Sequence, residues 1–396
     1  MFTEPNYTNA KCLLDKFVDD GLESYSRTRN FDYGPSNRSN VSNLSPYIKK
    51  RILHEKQVIL SCIKKFDKSK IDKFLQEVFW RIYWKGWLEG RPKVWSDYRI
   101  KLNEIHTNLN NKNYFRDYLK ATSGQTGIEC FDQWVHELIE YGYLHNHTRM
   151  WFASIWIFTL NLPWELGAHF FYKNLLDADA ASNTLSWRWV AGLHTQGKFY
   201  LARQDNIEKF SNFSFNQLQL KEKIHPPSFE FYEYKNPNFL DNCHDNFEIY
   251  LINSNNLLYQ EELIKMIRKS HAIYLDLSDN EQDSKIKKKF QEKALHHYFK
   301  WLKNNDVNVN ILSNQNELKE LINKKSKNLY TFYPCVGYEK DKINKLSKEL
   351  NFNINYLHDS LDLMCWPHAK SGFFKFKNNI DEFIDCITKD KELNFK

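Results

Sequence analysis

The spacing of apolar residues changes period part-way along the chain, so two kinds of architecture must share one polypeptide. Over the first 200 or so residues the period is helical. In "ECFDQWVHELIEYGY" the apolar positions are Phe131, Trp134, Val135, Leu138 and Ile139. That i, i+3, i+4, i+7, i+8 spacing predicts an amphipathic helix. "KFLQEVFWRIYWKGWL" repeats the pattern, and Pro163 and Gly167 punctuate the next pair of helices. After about residue 246 short β-rich runs take over: "FEIYLI", "AIYLDL", "VNVNIL", "NLYTFY" and "FNINYL". Helical stretches such as "SKIKKKFQEKALHHYFKWL" and "EKDKINKLSKEL" separate them. Such alternation predicts a parallel α/β sheet. From residue 205 to 245 the chain is polar and aperiodic, with "KEKIHPPSFEFYEYKNPNF" at its centre. The expected order is an all-α domain over 1–222, an irregular linker over 223–245 and an α/β domain over 246–396.

The 396 residues are 42% hydrophobic, which suffices for real cores, and they include 12 Trp, 22 Tyr and 29 Phe. Most of those rings are expected to pack, but they also supply stacking platforms for flat ligands and bases. The net charge of +7 is compatible with a polyanionic partner without specifying one. Cysteines stand at 12, 62, 130, 243, 335, 365 and 386, an odd number with no CxxC. That usage points to a reducing, cytoplasmic setting and away from a disulfide framework or a zinc site; no metal is expected. "MFTEPNYTNA" has no basic region followed by an apolar stretch, so no signal peptide is expected. The most apolar run, "MWFASIWIFTLNL" from Met150 to Leu162, falls short of the roughly 20 residues that span a bilayer. It reads as a buried helix, with no membrane partner. The α/β half has neither GxGxxG nor a P-loop, and its basic runs, Lys287–Lys289 and Lys324–Lys327, read as solvated helix faces.

One stretch concentrates chemistry: "LLDADAASNTLSWRW", Leu175 to Trp189. An EF-hand loop needs Gly at its sixth position and Glu at its twelfth. Ser182 and Arg188 stand there instead, which rejects calcium. Two nearby indoles favour a flat aromatic ligand over a DxD metal site, with a helix–turn around a buried Trp pair as the alternative. Upstream, "GYLHNHTRMWFAS" supplies Arg149, and a buried Arg needs a carboxylate such as Asp177. In "FLQEVFWR" Glu77, Trp80 and Arg81 share one helix face. "SNLSPYI" follows "ESYSRTR", and serine with backbone amides ahead of a helix can cradle phosphate.

Taken together, "SYSRTR", "VSNLSPYI", "FLQEVFWR", "TGIECFDQWVHELIEYGYLHNHTRM" and "LLDADAASNTLSWRWVAG" resemble the DNA photolyase/cryptochrome family, in family order over roughly residues 10–205. The resemblance implies a helical FAD-binding domain. Tyr25, Ser42, Leu44 and Ser45 would hold the FAD phosphates. Arg149 and Asp177 would form an ion pair beside the isoalloxazine, and Asp179 would bind its polar edge. Asn183 would face flavin N5, where Asn marks photolyases rather than plant or animal cryptochromes. Glu77 would hydrogen-bond a damaged base. Trp80 and Trp189 would wedge a flipped dimer, and Asn146 and Met150 would line its pocket. Family members acting on (6-4) lesions carry histidines at those last two positions. His145 and His147 read as neutral packing or capping residues. Trp187 and Trp164 would be the first two members of a photoreduction chain, with Tyr114, Trp134 or Trp151 as candidates for the third. Lys49, Lys50, Arg51, Lys198 and Arg203 are candidates for DNA phosphates.

The implied activity is light-dependent repair of cyclobutane pyrimidine dimers by electron transfer from reduced FAD, on UV-damaged DNA and as a monomer. A dimer must leave the duplex to reach a buried flavin. The alternatives are a cryptochrome-like blue-light photoreceptor and a (6-4) photolyase with an atypical pocket. The domain order departs from the family, whose antenna domain comes first. Here "LHDSLDLMCWPHAKSGFFKFKNNI" resembles the end of that antenna domain, so the chain reads as circularly permuted. The alternative is an unrelated α/β domain. No ligand signature marks an antenna chromophore.

Overall fold

The computed structural model describes residues 2, 4–214, 218–221, 229–237, 248–277 and 283–390. Among the described residues before Ile249 there is no strand. The helices used below are α1 (Lys68–Glu89), α2 (Glu129–Tyr141), α3 (Asn146–Ser154), α4 (Trp164–Asn174) and α5 (Ala180–Val190). The C-terminal half contributes β1 (Ile249–Leu251), β2 (His271–Leu275), β3 (Val309–Leu312), β4 (Asn328–Phe332) and β5 (Asn353–Leu357). Two of its helices are α6 (Lys285–Asn304) and α7 (Tyr338–Leu350).

The helical pattern does what its spacing predicts. α1 buries Ile71, Phe74, Leu75, Val78, Phe79, Ile82 and Tyr83 as one stripe. α2 buries Phe131, Trp134, Val135 and Leu138, but Ile139 is 45% exposed, so the stripe is one residue narrower than expected. The apolar run from Met150 is not one regular helix. α3 ends at Ser154, a π-turn follows over Ile155–Thr159, and Asn161 takes a left-handed φ of 50° before Pro163. The wider turn seats Trp156, whose indole N–H donates to the Pro163 carbonyl at 2.9 Å.

All five predicted strands form. They make one parallel sheet in the order β3-β2-β1-β4-β5, with Ile249 opposite both His271 and Leu329. Alternate side chains leave the sheet on opposite faces. Ile249, Leu251, Ile273, Leu275 and Leu329 join Leu318, Ile322 and Ile343 in a small core of their own. Tyr250, Ala272, Tyr274, Tyr330 and Phe332 point the other way, into a core continuous with the helical bundle. The two halves therefore share a hydrophobic core.

Buried charge reinforces that interface. Arg51, at a φ of 51°, pairs with Asp362, with Asp359 at 3.3 Å and with Glu55 at 3.9 Å. His54 bonds Asp359 at 2.7 Å, and Lys85 reaches Glu55 at 3.2 Å. Lys49 and Lys50 lie here too, on the side-chain carbonyl oxygens of Asn255 (2.5 Å) and Gln291 (2.7 Å). The expectation that Lys49, Lys50 and Arg51 face DNA phosphates is corrected: the α/β half covers them. Lys287, expected on a solvated face, is likewise buried and pairs with Asp283 at 2.7 Å.

Part of the predicted irregular region is ordered. Gln204–Phe210 form a helix. Residues 229–237 run without regular structure, tied down by Arg91 Nε to the Tyr232 carbonyl (3.1 Å) and by Lys235 N to the Gly90 carbonyl (2.8 Å). The rest of the expected linker lies largely outside the described residues. No helix among the described residues is long and apolar enough to cross a membrane.

Candidate active site

Helix α5 packs on both α1 and α3 and brings together most of the residues singled out in the sequence. Arg149 donates two parallel bonds to Asp177, at 3.0 and 2.9 Å. Ser45 donates to the same carboxylate at 2.5 Å, and Arg81 reaches the Asp177 backbone carbonyl at 3.1 Å. Burial alone would raise the Asp177 carboxyl. The Arg149 guanidinium, aided by Ser45 and Arg81, overcomes it and holds the group below the usual carboxylate range.

Asp179 caps α5, accepting from Ser182 N at 2.7 Å. Its other oxygen lies 3.0 Å from the Arg81 guanidinium as an ion pair. That contact, made by Arg81 Nη2, lacks hydrogen-bond geometry; among the described residues Asp179 Oδ2 and Arg81 Nε are both buried without a hydrogen-bond partner. Such orphans are costly and expect a ligand or water. The two aspartates are thus engaged by arginine, which disfavours a metal between them.

Asn183 lies one turn further along α5 and is buried. Its amide nitrogen donates to the Ala168 carbonyl at 2.8 Å, which fixes the amide orientation and leaves the oxygen for another partner. Tyr25 packs edge-on against Phe17 and Phe74. Ser42 and Ser45 are half-buried at the entrance to the short helix Ser45–Lys49. The Leu44 side chain is wholly in the core, so only its backbone is available to a phosphate.

Glu77 sits one turn before Arg81 on α1 and is held by Arg29 at 2.5 Å. Burial pushes its carboxyl up, and Arg29 opposes that shift. Met150 and Trp189 are half-buried, Trp189 stacking on Tyr200 at 6.0 Å, while Asn146 is exposed. His145 caps α3 by accepting from His147 N, and burial lowers it to about 4, so it is neutral at pH 7. Lys198 and Arg203 are exposed. Trp80 departs from expectation. One face of its ring is covered by Phe373, with centroids 3.6 Å apart and planes 11° from parallel. Phe373 comes from the other end of the sequence, which is why no local pattern revealed it.

The rings expected to form a photoreduction chain are not all in mutual contact. Trp187 is buried, and its ring contacts among the described residues are Phe171 at 5.0 Å, Trp156 at 6.2 Å and Phe152 at 6.5 Å. Trp156 in turn meets the half-buried Tyr118 at 6.1 Å. Trp164 packs instead on Tyr98 at 5.5 Å. Of the candidates for a third member, Trp134 and Trp151 stack on each other at 5.7 Å, and among the described residues neither has a ring contact with Trp187 or Trp164. Trp156, which touches Trp187, was not singled out in the sequence because it lies in an apolar run that read only as core. Gly167 admits the Trp187 ring: a Cβ there would collide with it and stand 2.9 Å from Trp156 Nε1.

A second cleft opens at the carboxyl ends of β1 and β4, where the strand order reverses. Asn253, Asn255 and Tyr333–Glu339 line it on one side, and Lys49, Lys85 and Asp179–Ala181 on the other. Such reversal points are where open parallel sheets hold ligands. Burial lowers Lys49 to about 7 and Lys50 to about 8, and neither makes an ion pair among the described residues.

Comparison with known proteins gives this site a setting. Residues 74–217 match the FAD binding domain of DNA photolyase. The deoxyribodipyrimidine photo-lyase of Agrobacterium fabrum is 29% identical over 48% of this chain and 38% of its own. That of Streptomyces griseus is 33% identical over 34% of this chain and 31% of its own. The chain thus spans less than half the length of these curated relatives. Among solved structures, a class III photolyase from Agrobacterium tumefaciens is similar at 27% identity, covering 52% of this chain and 42% of that one, with a TM-score of 0.44. The orphaned Asp179 and Arg81 atoms beside the Arg149–Asp177 pair fit a bound FAD. Over residues 74–217, the helical half of the chain is thus similar to the FAD binding domain of DNA photolyase.

Proposed function

We propose that the protein repairs cyclobutane pyrimidine dimers in UV-damaged DNA under light, acting as a monomer. One observation carries the reading. Arg81 reaches the Asp177 and Asp179 side of the site, while Glu77, a turn away on the same helix, is held on Arg29. A flavin-side cation and a carboxylate able to accept from a damaged base thus share one rigid element.

FAD, when bound, supplies the light-driven one-electron chemistry. Arg149, Asp177, Asp179, Ser42 and Ser45 would hold and orient it, and Tyr25 and Leu44 would wall the phosphate end. Asn183 would set the hydrogen bond at the ring edge. Glu77 would stabilise charge developing on the lesion bases, with Asn146, Met150 and Trp189 lining the pocket. Trp187 would relay electrons inward. Lys198 and Arg203 are exposed and would meet DNA phosphates, Arg203 by exchanging its ion pair with Asp205 at 3.4 Å. The α/β half would be the family's antenna domain moved to the C-terminal side.

The covered face of Trp80 favours a second reading, a blue-light photoreceptor that does not accept a flipped dimer. Glu77→Ala separates the two. Repair should fall while FAD content stays at the wild-type level; an unchanged repair yield would remove Glu77 from the chemistry.

A further inference from the structure

The segment Lys370–Lys377 lies antiparallel along α1. Arg91 donates to the Lys370 carbonyl and Tyr83 to the Ser371 carbonyl, both at 2.7 Å. Phe373 stacks on Trp80, and Lys377 lies 3.9 Å from Asp72. Phe376 turns inward against Phe79. Its neighbour Phe374 does the opposite: at 82% exposure the ring stands in solvent beside the Trp80–Phe373 stack. An apolar ring so exposed has no folding role, since its removal opens no core.

The charge around it has one sign in excess. Lys70, Lys73, Lys370 and Lys375 are exposed along this face, and none forms an ion pair with a carboxylate among the described residues. Lys68 and Lys377 are paired, with Asp381 and Asp72. A solvated aromatic face among unpaired lysines suits a polyanion that also carries flat rings. It suits a lipid surface poorly, where a single ring gives little insertion.

We propose that the Lys370–Lys377 segment of the C-terminal half is part of the nucleic-acid surface, with Phe374 stacking on a base next to the Glu77 site and Lys375 and Lys73 holding the backbone phosphates. This rests on the reading of Glu77 as part of the nucleic-acid site. It makes the α/β half a contributor to substrate binding, and it gives the Phe373–Trp80 stack a role as the inner support of that rim.

The test uses the full-length, FAD-containing protein and an oligonucleotide with 2-aminopurine beside a thymine dimer, followed by anisotropy and by 2-aminopurine fluorescence. Phe374→Ala should weaken binding by roughly 5- to 100-fold, the range for one lost base–aromatic stack. It should also restore 2-aminopurine emission. Phe374→Trp should keep both signals. Lys375→Ala should lower the slope of log affinity against log salt by about one. Wild-type affinity and quenching in Phe374→Ala, with an unchanged flavin spectrum, would overturn the proposal alone. No oligonucleotide binding by the wild type would sink it together with the DNA-repair reading. Loss of binding to anionic lipid vesicles without loss of oligonucleotide binding would assign the surface to a membrane and equally refute it.

Discussion

Arg149 and Asp177 face each other through two parallel bonds of 3.0 and 2.9 Å, and Ser45 adds a third to the same carboxylate. Asp177→Asn leaves the guanidinium without its counter-charge. The expected loss is about 3 kcal/mol, the lower end for a broken buried pair because Arg149 keeps some solvent. It should appear as a lower denaturation midpoint and a reduced FAD content. The pH dependence follows from the lowered Asp177 carboxyl. Its stabilisation is fully present above the unfolded value near about 3.9 and is lost as pH falls through the lower folded value. Asp177→Asn should remove that contribution to acid sensitivity.

Arg51 holds three carboxylates at the interface between the halves. Arg51→Ala strands Glu55, Asp359 and Asp362 in a buried setting and should cost about 3–5 kcal/mol at neutral pH. The folded pKa values of those carboxylates should then rise. The penalty should therefore shrink as pH falls and they take up protons. Chemical denaturation of both proteins at pH 7 and pH 5 checks this; an equal penalty at both would exclude the electrostatic cause.

The ring contacts of Trp187 run to Trp156, not Trp164. Light-driven reduction of bound FAD by an external thiol should therefore slow several-fold in Trp156→Phe and in Trp187→Phe, and change less in Trp164→Phe. Protein reduced chemically beforehand should be unaffected by Trp156→Phe. Normal photoreduction in Trp156→Phe with loss in Trp164→Phe would reverse the order of the relay.

Asn183 spends its amide N–H on Ala168, and an aspartate cannot donate there unless protonated. Asn183→Asp should destabilise the protein by about 1–3 kcal/mol at pH 7. It should shift the flavin absorbance and regain stability at lower pH. A denaturation midpoint equal to wild type at pH 7 would show that the Ala168 bond does not matter.

The sequence made some features plain and hid others for one physical reason. Strand runs and the α1 stripe depend on local periodicity, and each formed where its spacing put it. Arg149 and Asp177 could be paired because a buried guanidinium needs a carboxylate. Lys49, Lys50 and Arg51 looked like a surface basic patch because their covers, Asn255, Gln291, Asp359 and Asp362, come from at least 200 residues further along. Trp80 lost one face to Phe373 by the same long-range docking. Trp156 was hidden in an apolar run whose π-turn no period predicts.

The central claim is tested by illuminating the FAD-containing protein with a thymine-dimer oligonucleotide under reducing, oxygen-free conditions and counting restored thymines. The account predicts light-dependent restoration that Glu77→Ala diminishes and that is absent in the dark. Fully reduced, FAD-loaded protein that binds the oligonucleotide yet restores no thymine under light would contradict it.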